Sequence, residues 1–488
     1  MTSKSTIMSE RRSRQSPLKW SPLPYMRRAV KFLLEHGAGI LMLDPGLRKT
    51  SITLAAFSFL KKQGVARKML VIAPLKACHQ VWPAEVAKWK DFNHLKMVVL
   101  HGKDKEKLLA TEADIYVINP EGLPWLLNGS NARKSFDARR WAKFNFDTLA
   151  VDELTKFKHS RGVRFKLLKL ILGTFTRRWG LTGSPAANGL LDLFGQCYVI
   201  DLGNALGRYI THYRMRYFYN PDTMGWKWVP LAGAQEEIYE QLKPLALRMD
   251  ADDYLQLPEI NDVPIYLDLP PDARKLYDTL EDDLVAKIEE RIVTAANAAT
   301  AGGKLWQIAN GGLYVDNDVA SIIGGKKRTT LKIHDVKTDW LEDLIDELQG
   351  QPLLIGYQFE HDRDRLLERW PEMPMFTGKT SHDKEIERAW NANELPYVAG
   401  QQDAIAHALN LQEGDAAHLA QYSITWNLET WDQLLRRIRR SGNNAKRVFR
   451  HIPIMRDTTD EDRWWALRHK AKGQKALFDA LKARRGIR

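Results

Sequence analysis

Lys49 and Thr50 follow the tight stretch Asp44-Pro45-Gly46-Leu47-Arg48, which itself ends the apolar run Ile40–Leu43 and precedes an apolar helical pattern. Strand, glycine-bearing loop and helix N-terminus in that order make a phosphate cradle. Backbone N–H groups and the helix dipole hold phosphate oxygens, a lysine reaches the terminal phosphates, and a hydroxyl holds Mg²⁺. The strict spacing G-x-x-x-x-G-K-[ST] asks for glycine at 43 and 48, where Leu43 and Arg48 stand. A second apolar strand ends in Asp152-Glu153 (TLAVDE). Beside a phosphate loop, such an Asp holds Mg²⁺ through water and the adjacent Glu orients and deprotonates the attacking water. On the residues alone, two surface acids at a strand end is the plainer reading. Thr182-Gly183-Ser184 ends a third apolar segment, where hydroxyls could sense phosphates or simply turn the chain into a helix beginning near Asn188. Gln433, Arg437 and Arg440 recur at i, i+4 and i+7, one face of a helix. Arginine forks there could clamp a transferring phosphoryl group; for Arg436 and Arg439 a solvated or DNA-facing surface is the plainer reading.

The elements that must position these groups follow from hydropathy. Short continuous apolar runs at Met69–Ala73, Met97–Leu100, Ile115–Ile118, Thr148–Val151 and Trp179–Leu181 alternate with helical patterns. Runs of that kind suit strands covered on both faces, hence a parallel sheet. A second alternating region carries Leu353–Tyr357, the helical Glu360–Arg369, Met375–Gly378, Pro396–Ala399 and Ala420–Ile424. The expected layout is a basic, disordered N-terminus (1–20), a first α/β domain (21–205), a helical insertion or linker (206–334), a second α/β domain (335–455) and a basic helical tail (456–488). Within the linker, Pro271–Ala299 reads as helix, and AGGK (301–304) and GGKK (324–327) read as loop punctuation. Trp464-Trp465 in the tail is expected to pack rather than stack on bases.

Composition bounds the rest. With 44% hydrophobic and 27% charged residues the chain reads as globular, and no apolar run approaches a membrane span of roughly 20 residues. Two isolated cysteines give neither a disulfide framework nor a zinc spacing. The net charge of +13 is concentrated at the ends: residues 433–488 hold 17 Lys and Arg against 5 acids, and residues 1–31 hold 8 against 1. Such asymmetry points to a polyanion, with nucleic acid the first candidate. Arg447, Arg450 and Arg468 are read as phosphate-contacting or solvated surface.

Taken in order, LDPGLRKT, VIAPLKACHQVWPAEVAKW, VDELTKFK, LTGSPAANGLLDLF, ALNLQ and WNLETWDQLLRRIRRSG resemble the motifs of superfamily 2 helicases. More narrowly they are similar to the Swi/Snf-like branch and its compact phage-encoded members. The resemblance runs from about Tyr25 to Gly442; Leu247–Pro258 and Leu305–Gly311 also resemble that branch's link between halves. It implies an α/β fold of two tandem RecA-like parallel-sheet domains with ATP and Mg²⁺ in the cleft between them. It also implies a DNA-dependent ATPase that moves along DNA, duplex favoured, rather than a strand separator. By position it implies Lys49, Asp152, Glu153, Gln433, Arg437 and Arg440 as catalytic, and Tyr25, Asp44, Gly46, Leu47, Arg48, Lys49, Thr50 and Ser51 as ATP-binding. Thr50 and Asp152 would hold the metal, and Thr182, Gly183 and Ser184 would couple the halves. Pro74, Lys76, Asn119, Asn410 and Gln412 would contact DNA. That branch's glycine pattern is shorter, built around Asp44-x-Gly46 and Lys49-Thr50, which leaves Arg48 as the departure in the loop. Tyr25-Met26 stands where Tyr-Gln is expected, Thr155 where His is frequent, and Ala404, Ala406 and Ala408 where small Ser or Gly residues are frequent. Arg48 and these three alanines carry the alternative, a nucleic-acid-binding protein whose degenerate site binds nucleotide without turnover. The resemblance places the protein in a cytoplasm, that of a bacterial host if it is phage-encoded. It admits replication or recombination proteins as partners and implies no membrane and no oligomer.

Overall fold

The computed structural model describes residues 17–129, 136–183, 185–186, 189–221, 228–289, 295–315, 329–378, 380–406 and 409–470. They form two compact units. One holds the chain up to Ala38, Arg48–Asp152 and Leu167–Trp179; the other holds Gly39–Leu47, Glu153–Lys166 and the chain from Gly180 onward.

Seven short strands make the first sheet: β1 (Ala38–Leu43), β2 (Met69–Ile72), β3 (Met97–Val99), β4 (Ile115–Ile118), β5 (Thr148–Asp152), β6 (Arg177–Thr182) and β7 (Ala246–Met249). Their order is β3-β4-β2-β5-β6-β1-β7. The pairs β3–β4, β4–β2, β2–β5 and β1–β7 are parallel. All four residues of β2 and of β4 are buried, as their unbroken apolar runs predict. The second sheet joins β8 (Glu259–Leu267), β9 (Leu353–Tyr357), β10 (Met375–Phe376), β11 (Tyr397–Gln401), β12 (His418–Ala420) and β13 (Arg447–Met455) in the order β8-β13-β12-β9-β11-β10. Every pair in it is parallel. Two apolar clusters pack around β9, one built on Leu354, Val398, Leu419 and Leu434, the other on Leu341, Ile355, Ala399 and Ala420. Two parallel-sheet α/β units are thus present, as expected.

Several local expectations change. The stretch 206–334 is not helical throughout. It supplies β7 to the first sheet and β8 to the second, and β8 pairs with β13 over nine residues. Both are edge strands, whose place depends on a distant partner and not on local pattern. Gly302 and Gly303 of AGGK lie inside a helix, Ala295–Ala309, because Leu305, Ile308 and Ala309 anchor that helix in a buried cluster with Tyr277. GGKK lies outside the described residues. The strand expected over Ala420–Ile424 sits earlier, at His418–Ala420. Residues 1–16 also lie outside the described set, whereas Leu18 bridges to Trp89 and the Trp20 amide donates to Asp91. In the tail, residues 459–470 are helical; Trp464 packs beside Trp431, but Trp465 is 64% exposed and stacks on His469 instead. Residues 471–488 are outside the described set. No helix among the described residues is long and apolar enough to cross a membrane.

One buried ion pair fastens the helix Val336–Leu348 to the helical residues that follow β13. Lys337 Nζ donates to Asp460 Oδ2 and Asn310 Oδ1, each at 2.6 Å, and the Lys337 and Asp460 side chains have no solvent exposure. Burial pulls the ammonium below its ordinary range while Asp460 opposes that shift. Removing one partner of such a pair leaves an uncompensated interior charge. Asp460→Ala should therefore cost ~3–5 kcal/mol, read as a lower midpoint in urea. The double variant Lys337→Met with Asp460→Leu should cost less than Asp460→Ala alone.

Candidate nucleotide site

The loop after β1 is the best-defined part of the candidate site. Leu47 N donates to Asp44 O, closing a turn, and Gly46 takes φ +92°, a backbone open mainly to glycine. Arg48 follows at φ 52°, ψ 42°, in the left-handed region, and caps α2 (Lys49–Lys62) without a side-chain bond. For a side chain with a Cβ that conformation costs about 1–2 kcal/mol. The exposed arginine spends its stem on Trp89, with its guanidinium carbon 5.9 Å from the ring centroid. Tyr25 of α1 (Pro24–Glu35) is buried nearby. Burial raises its phenol and the Arg48 charge partly opposes this. Lys49 and Thr50 open α2, and both are partly exposed.

Three residues expected to touch nucleotide are otherwise engaged. Ser51 is fully buried and its Oγ donates to the Arg48 carbonyl at 3.0 Å. Leu47 is fully buried, so only its backbone can face a ligand. Asp44 is the centre of an ion-pair knot. Its Oδ1 accepts from Arg248 Nη2 at 2.8 Å and Arg436 Nη1 at 2.7 Å, and its Oδ2 from the Ala251 amide at 3.1 Å. Burial alone would raise this carboxyl, but Arg436 and Arg248 hold it far below the usual carboxylate range.

The acids after β5 are held differently. Asp152 Oδ2 accepts from the indole N–H of buried Trp82, at 3.0 Å, on α3 (Trp82–Lys88). Burial and the Asp152 charge push the Cys78 thiol up to about 12, so that cysteine is inert packing. Glu153 takes φ 53°, a second left-handed residue at the chemistry. The turn behind it is fixed by close packing: a Cβ on Gly195, in the helix Leu191–Asp201, would lie 2.4 Å from the Phe157 carbonyl. Thr155, where histidine is frequent in the resembling branch, donates from Oγ1 to Glu429 Oε1 at 3.0 Å, and Gln433 donates to the same oxygen at 3.4 Å. Burial and the like charge of Glu153 raise the Glu429 carboxyl. At the end of β6 Thr182 is fully buried, and a Cβ on Gly183 would lie 3.2 Å from Pro45 Cδ. The Thr182-Gly183 turn therefore abuts the phosphate loop. Ser184 lies outside the described residues.

The arginine motif lies on and just beyond α4 (Leu428–Ile438). Asn427 caps it by accepting from the Glu429 amide, and Leu434, Leu435 and Ile438 bury its apolar face. The helix ends at Ile438, where Asn443 Nδ2 donates to the Ile438 carbonyl, so Arg440 is not the third member of a helical face. It lies past the end, and a Cβ on Gly46 would be 3.7 Å from its Cγ and Nε. Arg437 is 9% exposed; Nη1 donates to the Leu409 carbonyl at 3.1 Å and Nε has no hydrogen-bond partner. Burial, and then the Arg440 charge, pull the Arg437 guanidinium below its ordinary range, and burial lowers Arg440 too. Arg440 Nη1 donates to Asn410 Oδ1 at 3.4 Å, so the segment read as DNA-tracking also buttresses the arginines. Of the other expected DNA contacts, Asn119 Nδ2 donates to Glu121 at 2.9 Å and Gln412 Oε1 is buried without a partner. Pro74 and Lys76 are partly exposed.

Arg436 and Arg439 do not form a solvated or DNA-facing surface. Arg436 binds Asp44, and Arg439 donates to Pro258 O at 2.8 Å and Asp252 at 2.5 Å. Arg450 likewise is not open surface: it forks onto Asp262 at 2.7 and 2.9 Å and lies over Trp431. Asp44, Asp252 and Asp262 meet them, and helical periodicity carries no information about so distant a partner. Trp82, Arg248 and Glu429 were not singled out from sequence. Only Arg248 left a signal, as an arginine set between apolar residues in a strand whose burial demands an acid.

The arrangement suits a polyphosphate. Arg437 is a desolvated cation with an unpartnered Nε beside a second lowered arginine, and Arg440 touches the glycine of the loop. Among the described residues no group of three or more His, Cys, Asp or Glu could hold a metal. Thr50 and Asp152 would therefore supply only part of a Mg²⁺ shell, the usual state for a metal completed by phosphate and water.

A family profile described as SNF2-related domain matches residues 25–311. Putative protein p41 of Acyrthosiphon pisum secondary endosymbiont phage 1 is 31% identical over 481 residues, covering 95% of this chain and 99% of its own. A Mycoplasma genitalium protein named uncharacterized ATP-dependent helicase MG018 is 27% identical over 307 residues, 60% of this chain and 27% of that one. Two solved structures of the Sulfolobus solfataricus SWI2/SNF2 ATPase core are also similar. The one in complex with dsDNA is 20% identical with a TM-score of 0.42 and covers 95% of both chains. The other is 23% identical with a TM-score of 0.41 and covers 96% of this chain and 92% of that one.

Two outcomes follow from the site. Tripolyphosphate in large excess should raise Tm by at least ~2 °C through mass action, and Arg437→Ala should abolish most of that shift. Arg48→Gly should change stability by less than about 1 kcal/mol, because relief of the left-handed strain offsets glycine's entropy. Arg48→Val should cost more, since a β-branched residue is ill suited to that backbone; chemical denaturation compares the two.

Proposed function

Because the chain belongs to the SNF2-related family, we propose that it is a DNA-dependent ATPase that moves along duplex DNA. The observation that carries the reading is the seating of Arg440 against Gly46, with the desolvated Arg437 beside it. ATP supplies the γ-phosphoryl group; Thr50 and Asp152 would hold a Mg²⁺ ion, which would neutralise phosphate charge. Lys49 binds the terminal phosphates, and Trp82 keeps the Asp152 carboxylate oriented. Glu153 orients the attacking water and takes its proton. Arg437 and Arg440 meet the charge that grows on the transferring group, and the burial of Arg437 makes its interaction stronger than it would be in water.

Charge supports a nucleic-acid track. The net excess lies at the two ends of the sequence, and part of it is exposed, as at Arg447. Asn410 contacts Arg440, giving a route by which a nucleic-acid strand on Asn410 could bias the arginines. The rival reading, a nucleic-acid-binding protein without turnover, rests mainly on Arg48. That residue keeps the left-handed backbone open to a glycine and turns its charge to Trp89, which favours a working loop.

Phosphate release with duplex DNA, single-stranded DNA and duplex RNA separates these readings. Duplex DNA should stimulate release most, and Lys49→Ala or Glu153→Gln should lower it at least ~100-fold, about 2.7 kcal/mol in the barrier. Wild-type release no faster than either variant at saturating duplex would end the motor reading.

A further inference from the structure

Arg436 and Asp44 are 392 residues apart in sequence, yet their charged ends lie 2.7 Å apart. The acceptor is preset. Arg248 is 2% exposed, donates to Met42 O at 3.0 Å and to Asp44 at 2.8 Å, and pairs with Asp250. The Ala251 amide takes the other oxygen of Asp44. Two of the three donors on this carboxylate thus come from β7 and the segment after it. Arg436 is the donor that α4 adds. It sits immediately before Arg437 and four residues before Arg440, which packs on Gly46, two residues beyond Asp44. The neighbouring Arg439 goes instead to Asp252 and Pro258, and Arg437 to Leu409.

We propose that Arg436 is a positioning residue, docking α4 onto the preset Asp44 carboxylate so that Arg437 and Arg440 are held in register with the phosphate loop. It touches no substrate in this role; it acts through the two arginines that follow it. The turnover arm of its test rests on the ATPase reading, and the exchange arm does not.

Removing Arg436 leaves Asp44 paired with Arg248, so Arg436→Ala orphans no buried carboxylate and should fold. The full-length protein is compared with Arg436→Ala, Arg436→Lys and Arg439→Gln. Amide hydrogen exchange is read without nucleotide at Asp44 and Leu47, whose N–H groups bond to Met249 O and Asp44 O. Arg436→Ala should speed exchange there at least tenfold while interior amides of α2 stay unchanged. Arg436→Lys should recover part of the protection, and Arg439→Gln should stay within twofold of wild type. In DNA-stimulated hydrolysis, Arg436→Ala should lower kcat at least tenfold with KM for ATP within threefold. Unchanged loop exchange in Arg436→Ala, or an equal loss in Arg439→Gln, overturns the proposal whatever hydrolysis does. A rise in KM with kcat intact overturns it too, since it would make Arg436 a ligand-binding group. A wild type that does not hydrolyse ATP ends the ATPase reading alone, and the exchange result then decides the docking role.

Discussion

A carboxylate taken out of water must be met by cations or hydrogen-bond donors, and Asp44 is where this protein meets that demand. Three donors converge on it, from β7, from the segment after β7, and from α4. Each brings an element that the motif needs. Arg248 comes with the strand beside β1, Ala251 with the acidic stretch that receives Arg439, and Arg436 with the helix that leads to Arg437 and Arg440. The loop following Asp44 inherits its placement from this knot, which is why a Pro-Gly turn with little side chain of its own can present a defined backbone.

Two left-handed residues bracket the chemistry, Arg48 before Lys49 and Glu153 after Asp152. Neither is a glycine, and both lie beside contacts that leave no slack. Gly183 approaches Pro45, and Gly195 approaches the Phe157 carbonyl. Close packing of backbone on backbone turns mild strain into orientation: the residues cannot relax without moving a neighbour. Trp82 adds the same restraint to Asp152 from the side, through one N–H.

Much of this was legible in the sequence. The strand ends at Leu43, Asp152 and Thr182 were readable because fully buried parallel strands are unbroken apolar runs. The motif order then pointed to Lys49, Thr50, Asp152, Glu153, Arg437 and Arg440 as the residues to test. What escaped was of one physical kind. Arg436, Arg439 and Arg450 look like solvent-facing charges in any local window, and only the acids at 44, 252 and 262 make them interior or half-buried. The strands at 246–249 and 259–267 escaped for the same reason: edge positions in a sheet are decided by a distant partner, β1 or β13, and not by local pattern. The helix stop at Ile438 depended on Asn443 folding back to cap it, which the i, i+4, i+7 spacing of Gln433, Arg437 and Arg440 does not encode.

The burial of the Asp44 knot separates two kinds of electrostatics in one molecule. Arg248 and Asp44 are nearly out of water and Arg436 is mostly so, so dissolved ions screen their attraction little. Exposed basic residues such as Arg447, 62% accessible, sit within reach of the ionic atmosphere, whose screening length is about 8 Å at physiological ionic strength. Rising ionic strength would thus screen the exposed surface charges long before it loosened the loop, leaving the Asp44 knot assembled.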